Sequence, residues 1–444
     1  IPLLQAVSVD STALVFTMVV ALSTGLLFGI FPALQISAGN DTGALNDSSR
    51  GSSEGKSRTR MREVLVVSEI ALACVLLVMG GLLVRSFQSV LDVDLGFSPE
   101  NTVAWQVRPT LDFETRQELG LFAFGAVDRI EQIPGIDEVG LIDALPLGRN
   151  RSWGFRVVGQ TDRDDPSSLF PHLVSPGYLE AMQIPLLEGR HLSRDDQGEA
   201  PPVILMNESG ARRVFQGEVP LGGRILLWDG REYEVVGIVA DVKHLSPEMD
   251  SGIQVYFPYL QMPDASSLDM VVRSRLPTEQ VVGLVSEALR ELDPGMPTRE
   301  FFTLEAKVDQ SVSARSFTLW ILSAYGAAAL LLAALGIYGV LAQSVAERAP
   351  EIGIRRALGA SSPKIVGSVL GRTLFLAGIG VLTGGLASLW AGNLLASLLF
   401  GVGAADPVTY VGMGGILLTV ASLAGFIPAM KAVRVRGASA LQTR

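Results

Sequence analysis

The sequence predicts an α-helical membrane protein with five transmembrane helices and one large mixed α/β domain held on a single side of the membrane. Three observations carry that class. The 444 residues are 48% hydrophobic and 18% charged, with a mean hydropathy of +0.37, too apolar for a water-soluble globule. The excess is gathered into five windows, residues 12–34, 64–83, 317–340, 373–398 and 409–430. Each has about 20 residues or more, the length a helix needs to cross a hydrocarbon core about 30 Å thick. Between the second and third windows lie residues 88–315, far richer in Asp and Glu than in Lys and Arg.

In chain order, residues 1–34 hold the first helix, and a linker rich in Gly, Ser, Asn and Asp, residues 35–62, follows. It ends on Arg50, Lys56, Arg58, Arg60 and Arg62. The second helix occupies residues 63–87; after the large domain come helices at 316–343, 373–398 and 409–430, with a segment at 344–372 and a tail at 431–444. Arg348, Arg355, Arg356, Lys364 and Arg372 lie in that segment, and Lys431, Arg434, Arg436 and Arg444 follow the last span. The positive-inside rule therefore puts linker, segment and tail on the cytoplasmic face. Counting spans places residues 88–315 and the short loop 401–408 on the opposite face, in agreement. The acidity of the outer domain argues against nucleic acid or an anionic lipid surface as its partner. No charged n-region, short apolar core and cleavage site marks a signal peptide at the start. The single cysteine, Cys74, lies in the second window, reads as a packing residue, and can form no intramolecular disulfide.

The outer domain reads as two subdomains. Residues 101–107, 202–206, 235–242 and 268–273 are rich in β-formers and bounded by turn residues, so they are strands. Residues 115–131 and 278–292 carry apolar positions at helical spacing, and each is followed by a Pro-Gly turn, Pro134-Gly135 and Pro294-Gly295. Helix, turn and strand thus recur near both ends, as two halves of one subdomain with a strand-rich one, about residues 155–260, inserted between them.

The end of the chain also repeats its beginning. Asp10 matches Asp406, Pro32-Ala33 matches Pro428-Ala429, and Ala44-Leu45 matches Ala440-Leu441 at one constant offset. Duplication explains shared flanks better than chance does. The first helix then reads as the last span of a preceding module.

Little in the chain suggests catalysis. Gly51-Ser-Ser-Glu-Gly55-Lys56-Ser57 has three residues between its glycines where a phosphate-binding loop needs four, and it follows no strand. His172, His191 and His244 are widely separated, without metal-ligand spacing, and read as satisfied or solvent-facing. Asp162, Asp164 and Asp165 lack the later bidentate Glu of a calcium loop and read as a solvated loop. The expectation is a chain with no catalytic, cofactor or metal site.

The informative stretch is cytoplasmic: Glu347-Arg348-Ala-Pro-Glu351-Ile-Gly353-Ile-Arg355-Arg356-Ala-Leu-Gly359-Ala, followed by Ser361-Ser362-Pro363. Ser362 is placed to cap a helix with Pro363 at its first position. The segment is either a charged anchor or a docking element, in which Glu347, Arg348, Glu351, Arg355 and Arg356 offer directional ion pairs and Gly353 and Gly359 admit a close backbone. In the fourth window Gly380, Gly384, Ser388 and Gly392 fall four apart on one helix face, so a neighbouring helix can approach closely within the bundle or in a dimer.

The segment EIGIRRALGA between two spans, with its Asp406 and Pro428-Ala429 flanks, resembles the MacB/FtsX-like permeases of ABC transporters. Val174-Ser-Pro-Gly-Tyr-Leu-Glu-Ala-Met, Leu187-Glu-Gly-Arg, Val203-Ile-Leu-Met-Asn, Pro220-Leu-Gly-Gly-Arg and Val235-Val-Gly-Ile-Val-Ala-Asp-Val are similar to the MacB periplasmic core domain. The resemblance implies a four-span module of the bacterial inner membrane, with residues 88–315 in the periplasm and a coupling helix at about residues 348–360 resting on a separate ABC ATPase. ATP would be bound by that partner, and motion would pass through helical stalks at residues 85–91 and 306–315 without substrate crossing the bundle. It further implies contact with membrane lipid, a homodimer or heterodimer of permeases, room for a periplasmic adaptor, and a tandem eight-span layout whose first module is mostly missing. The functions implied are export and mechanotransmission; a membrane-anchored regulator that recruits a cell-envelope enzyme is the alternative. Pro350 departs from the family, which has a polar or basic residue there, and would restrict Ala349 to extended geometry.

Overall fold

The computed structural model describes residues 11–37, 53–159, 167–215, 220–265, 267–297, 300–347, 352, 354 and 361–434. The chain divides into two units, Ile1–Ser68 and Glu69–Arg444.

In the first unit, α1 (Ser11–Ser37) covers the first apolar window. Its Thr17 and Ser23 hydroxyls donate to the carbonyls of Ala13 and Val19, both at 2.7 Å, which satisfies them inside an otherwise apolar helix. The last helix begins immediately after Asp406, and the matching Asp10 lies outside the described residues. Helix α2 (Ser53–Leu91) begins in this unit and continues into the second.

Among the described residues, four helices are long and apolar enough to cross a membrane, over Arg60–Leu91, Arg315–Ala346, Ser362–Leu394 and Pro407–Lys431. They belong to α2, to α7 (Leu304–Glu347), to α8 (Ser362–Leu394) and to α9 (Pro407–Arg434).

The outer domain is built on β1 (Thr102–Val107), α3 (Arg116–Glu131), β2 (Ile136–Ile142), β3 (Trp153–Val157), β4 (Ser167–Val174), α4 (Tyr178–Ala181), β5 (Leu186–Gly189), β6 (Val203–Asn207), α5 (Glu208–Phe215), β7 (Arg224–Leu227), β8 (Glu232–Val239), β9 (Gln254–Pro258), β10 (Leu268–Ser274), α6 (Thr278–Leu292) and β11 (Phe302–Thr303). Helix α3 starts where Thr115 accepts the Glu118 N–H at 3.2 Å. The Pro134-Gly135 turn then reverses the chain, with Gly135 at a φ of 93° that only glycine adopts without strain. In α6, Val281, Val285, Ala288 and Leu289 recur at helical spacing and are buried.

All eleven strands form one sheet in the order β11-β1-β10-β2-β4-β3-β7-β8-β6-β9, with β5 added on β8. The outer four strands come from the two ends of the domain and are antiparallel neighbours. Strand β2 hands over to β4 through the single pair Ile142 and Val174. From β4 the sheet closes on itself, because β9 pairs with β4 in parallel from Phe170–Gln254 to Val174–Pro258. A closed ring leaves no edge among those six strands.

Two apolar clusters fill the faces of this sheet. One contains Val127, Ile130, Val285 and Leu289 of the two long helices over Trp105, Leu141, Phe257 and Met270. The other gathers Tyr178, Met182, Val239 and Tyr256 with Phe97, which follows α2, and Leu304, which opens α7. Helix α7 is therefore rooted in its core, and the segment that leaves α2 is anchored there through Phe97.

Candidate functional site

The membrane part of the second unit is a bundle of α2, α7, α8 and α9. Ala73, Cys74, Val78 and Leu82 of α2 meet Ala333 of α7, Val381 of α8 and Leu417 of α9 in one apolar cluster. Gly380, Gly384, Ser388 and Gly392 of α8 are all buried, with Thr373 and Ala377, along one face. At Gly384 the approach is closest: a Cβ would lie 2.6 Å from the Ala71 carbonyl oxygen and 2.6 Å from Cys74 Cβ. Without a hydrophobic drive between helices in lipid, such backbone contact supplies the packing. The Ser388 hydroxyl turns inward to the Gly384 carbonyl at 2.7 Å.

One charge in the second window sits within this bundle. Glu69 of α2 lies over Gly336 of α7, where a Cβ would come within 2.1 Å of its Oε2. A carboxylate at such a position is rare and marks a functional residue by default; its signal, a lone Glu inside an apolar run, is visible in the sequence.

At the outer end, Asp406 holds three groups. Its Oδ2 accepts the Thr409 N–H at 2.9 Å and the Thr409 hydroxyl at 2.6 Å, and Arg85 of α2 pairs with the same oxygen. The Thr409 hydroxyl and the Arg85 guanidinium hold this carboxyl down to about 2. Beside it the Phe400 N–H donates to Ser86 Oγ at 2.8 Å. The outer ends of α2 and α9 are thus clamped by a charged helix cap.

Above the clamp, α2 ends at Leu91 with its span, while α7 begins as early as Leu304, well before its span opens at Arg315, and so extends into the outer domain. Arg315 of α7 pairs with Glu248 in the loop after β8, with the two side chains 34% and 30% exposed. At the inner end, Ile352 is buried with Val345 of α7 and Ile365 of α8, and Ile354 is 62% exposed. Of the docking residues expected from the sequence, Arg348, Glu351, Gly353, Arg355, Arg356 and Gly359 lie outside the described residues, and Glu347 is the last residue of α7.

The start of α8 differs from expectation by one residue. Ser361, not Ser362, is the N-cap, and its side chain makes no capping bond; the Lys364 and Ile365 N–H groups reach its carbonyl at 3.0 and 3.4 Å, so helical bonding begins there.

The histidines require a second correction. His172 and His244, 72 positions apart in the chain, are neither solvent-facing nor satisfied: they stack with centroids 3.7 Å apart and planes at 15°, in the interior of the outer domain. His172 Nε2 and both nitrogens of His244 find no hydrogen-bond partner. His172 lies on β4 and His244 in the loop between β8 and β9, and no sequence spacing encodes a stack between them. Burial lowers the pKa of His244 from 6.5 to about 3 and that of His172 well below 6.5. His191 faces Glu180 at 3.5 Å. Asp162, Asp164 and Asp165 lie outside the described residues. Among the described residues no three His, Cys, Asp or Glu side chains gather as a metal site.

Residues 64–292 match the MacB-like periplasmic core domain family, and residues 323–436 match the FtsX-like permease C-terminal family. The chain is similar to the pyoverdine export ATP-binding/permease protein PvdT of Pseudomonas syringae pv. syringae, 25% identical over 265 residues that cover 58% of this chain and 40% of that protein. It is also similar to the macrolide export ATP-binding/permease protein MacB of Marinobacter nauticus, 26% identical over 332 residues, 72% of this chain and 48% of the relative. The chain thus spans under half the length of these curated relatives. Among solved structures, the periplasmic region of MacB from Actinobacillus actinomycetemcomitans matches with 18% identity and a TM-score of 0.35, over 51% of this chain and 98% of that one.

Proposed function

The chain belongs to the MacB/FtsX-like family of ABC transporter permeases, and from that premise we propose that it couples ATP hydrolysis on a separate ATPase subunit to motion of its periplasmic domain, for export or mechanotransmission. The observation that carries this reading is α7, continuous from the bundle into the core of the outer domain, where the chain leaving α2 also packs through Phe97. A rigid helix transmits displacement along its axis, so a push at the inner ends of α7 and α8 would reach the sheet without a substrate path through the bundle. Ile352, buried against Val345 and Ile365, supports the segment between α7 and α8 as the point of entry.

In this reading Glu351, Arg355 and Arg356 contact the ATPase, with Glu347, Arg348, Gly353 and Gly359 completing the docking surface. The chain sits in the bacterial inner membrane as part of a permease dimer and works with an adaptor on the periplasmic side. α1 is a fifth span, belonging to a preceding module. The test is to replace Arg355 and Arg356 together by Glu and to measure stimulation and binding of its partner ABC ATPase in nanodiscs. Loss of both is expected; unchanged stimulation and binding would refute the docking assignment.

A further inference from the structure

The loop between β2 and β3 walls one side of a cavity of about 200 Å³ in the outer domain, lined by Asp143, Arg149, Asn150, Arg151, His172 and Ser267 among others. At about 30 Å³ for each water, that space equals roughly six waters, enough for a ligand of a similar number of non-hydrogen atoms.

Its charged groups are not equivalent. Arg151 is fixed: its Nη2 donates to Asp143 Oδ2 at 2.5 Å, and its Nη1 reaches the Asp264 carbonyl at 3.3 Å and carboxylate at 3.5 Å. Asp143 is in turn buried and accepts the Leu173 N–H at 3.0 Å, so its charge is answered within the wall. Asp264 is shared between Arg151 and Arg116. Arg149 is different. It is exposed at the mouth, and its one hydrogen bond among the described residues is from Nη2 to Ser267 Oγ at 3.0 Å. A guanidinium carries five N–H donors in a fixed fork, so most of Arg149 remains unanswered. On the inner wall His172, 1% exposed, has an Nε2 with no partner, and leaving a buried polar atom unpaired is unfavourable.

A fork open at the mouth matches the two oxygens of a carboxylate, which pair with guanidinium in a bidentate way. A neutral imidazole nitrogen is an acceptor or a donor according to its tautomer, and a hydroxyl group serves either. We propose that this cavity binds a small hydroxycarboxylate, with its carboxylate on Arg149 and its hydroxyl directed to His172.

The test uses the full chain in nanodiscs, titrated with sodium lactate, sodium propionate and inorganic phosphate by calorimetry and by tryptophan fluorescence. Trp153 is the reporter, since the Arg151 guanidinium lies 5.3 Å over its ring. Lactate is expected to bind saturably with a Kd of about 1 mM or tighter. Propionate, which differs from lactate by the missing hydroxyl, should bind several-fold more weakly. Arg149→Ala, at an exposed loop position, should weaken lactate about tenfold or more without moving the melting temperature. His172→Phe should leave propionate binding in place and erase the preference for lactate. No saturable binding of lactate up to about 10 mM, equal binding of phosphate, or an unaltered Kd in Arg149→Ala would each overturn the assignment.

Discussion

Acidification should loosen the outer domain through His172 and His244. The fold holds His244 down to about 3 and His172 well below its ordinary value, in both cases chiefly because burial disfavours the charged ring. The unfolded chain protonates such a histidine near 6.5 while the folded chain does not. Its contribution is therefore fully present above about 6.5 and is lost as pH falls toward the folded value. Between pH 7.5 and 5.5 the loss is about 1.4 kcal/mol for His244, and His172 contributes in the same direction. The groups facing the pair are Tyr256, whose ring centroid is 5.1 Å from His172, and Asp143 and Arg151 across the cavity. Asp143, pushed up by burial against the pull of Arg151, acts in the opposite sense, so a variant must separate the two effects. His244→Phe does so: it keeps a ring in the stack and removes one titration. In thermal unfolding of the full chain in nanodiscs, the wild-type outer domain should melt at least about 3 °C lower at pH 5.5 than at pH 7.5. The variant should show a smaller drop, lacking the His244 contribution. Identical pH dependence in the two proteins would refute the linkage.

Two further outcomes follow from contacts already described. Gly384→Val inserts a side chain where a Cβ alone would sit 2.6 Å from the Ala71 carbonyl oxygen, so α8 and α2 must separate; overpacking of this kind costs about 1–3 kcal/mol, and a lower melting temperature of the bundle in nanodiscs would show it. Glu248→Arg places like charges between the β8–β9 loop and α7; spin labels on the two should move apart, with stability changed by no more than about 1 kcal/mol, and the swap with Arg315→Glu should restore the distance.

The elements were largely legible in the sequence because each rests on a local pattern. The second, third and fifth apolar windows fall within α2, α7 and α9, the fourth overruns the end of α8 at Leu394 by four residues, and the first lies on α1. Residues 115–131 and 278–292 differ from α3 and α6 by at most one residue. What periodicity could not supply was pairing. The ring closed by β4 and β9 depends on a parallel match of residues about 80 positions apart, and a two-residue strand such as β11 is too short to announce itself. The same limit hid the cavity: Asp143, Arg149 and Arg151 are neighbours in sequence, but His172 and Ser267 join them only across the folded sheet. An N-cap one residue from its expected place at Ser361 is the ordinary error of reading a helix start where two serines precede a proline.

The cavity and the membrane helices meet in one short stretch of chain. Gly148, in the loop that walls the cavity, donates its N–H to the His244 carbonyl at 3.3 Å. His244 stacks on His172, which lines the same cavity. Four residues later Glu248 pairs with Arg315 where α7 enters its span. Sideways motion of α7 therefore pulls on the loop that carries His244, and a ligand bridging Arg149 and His172 resists that pull from the other side. Binding and motion are then linked reciprocally: whichever position of α7 tightens the cavity is also the position a bound hydroxycarboxylate favours. Breaking the Glu248–Arg315 pair should remove that linkage while leaving the intrinsic affinity of the cavity unchanged, because neither residue lines it.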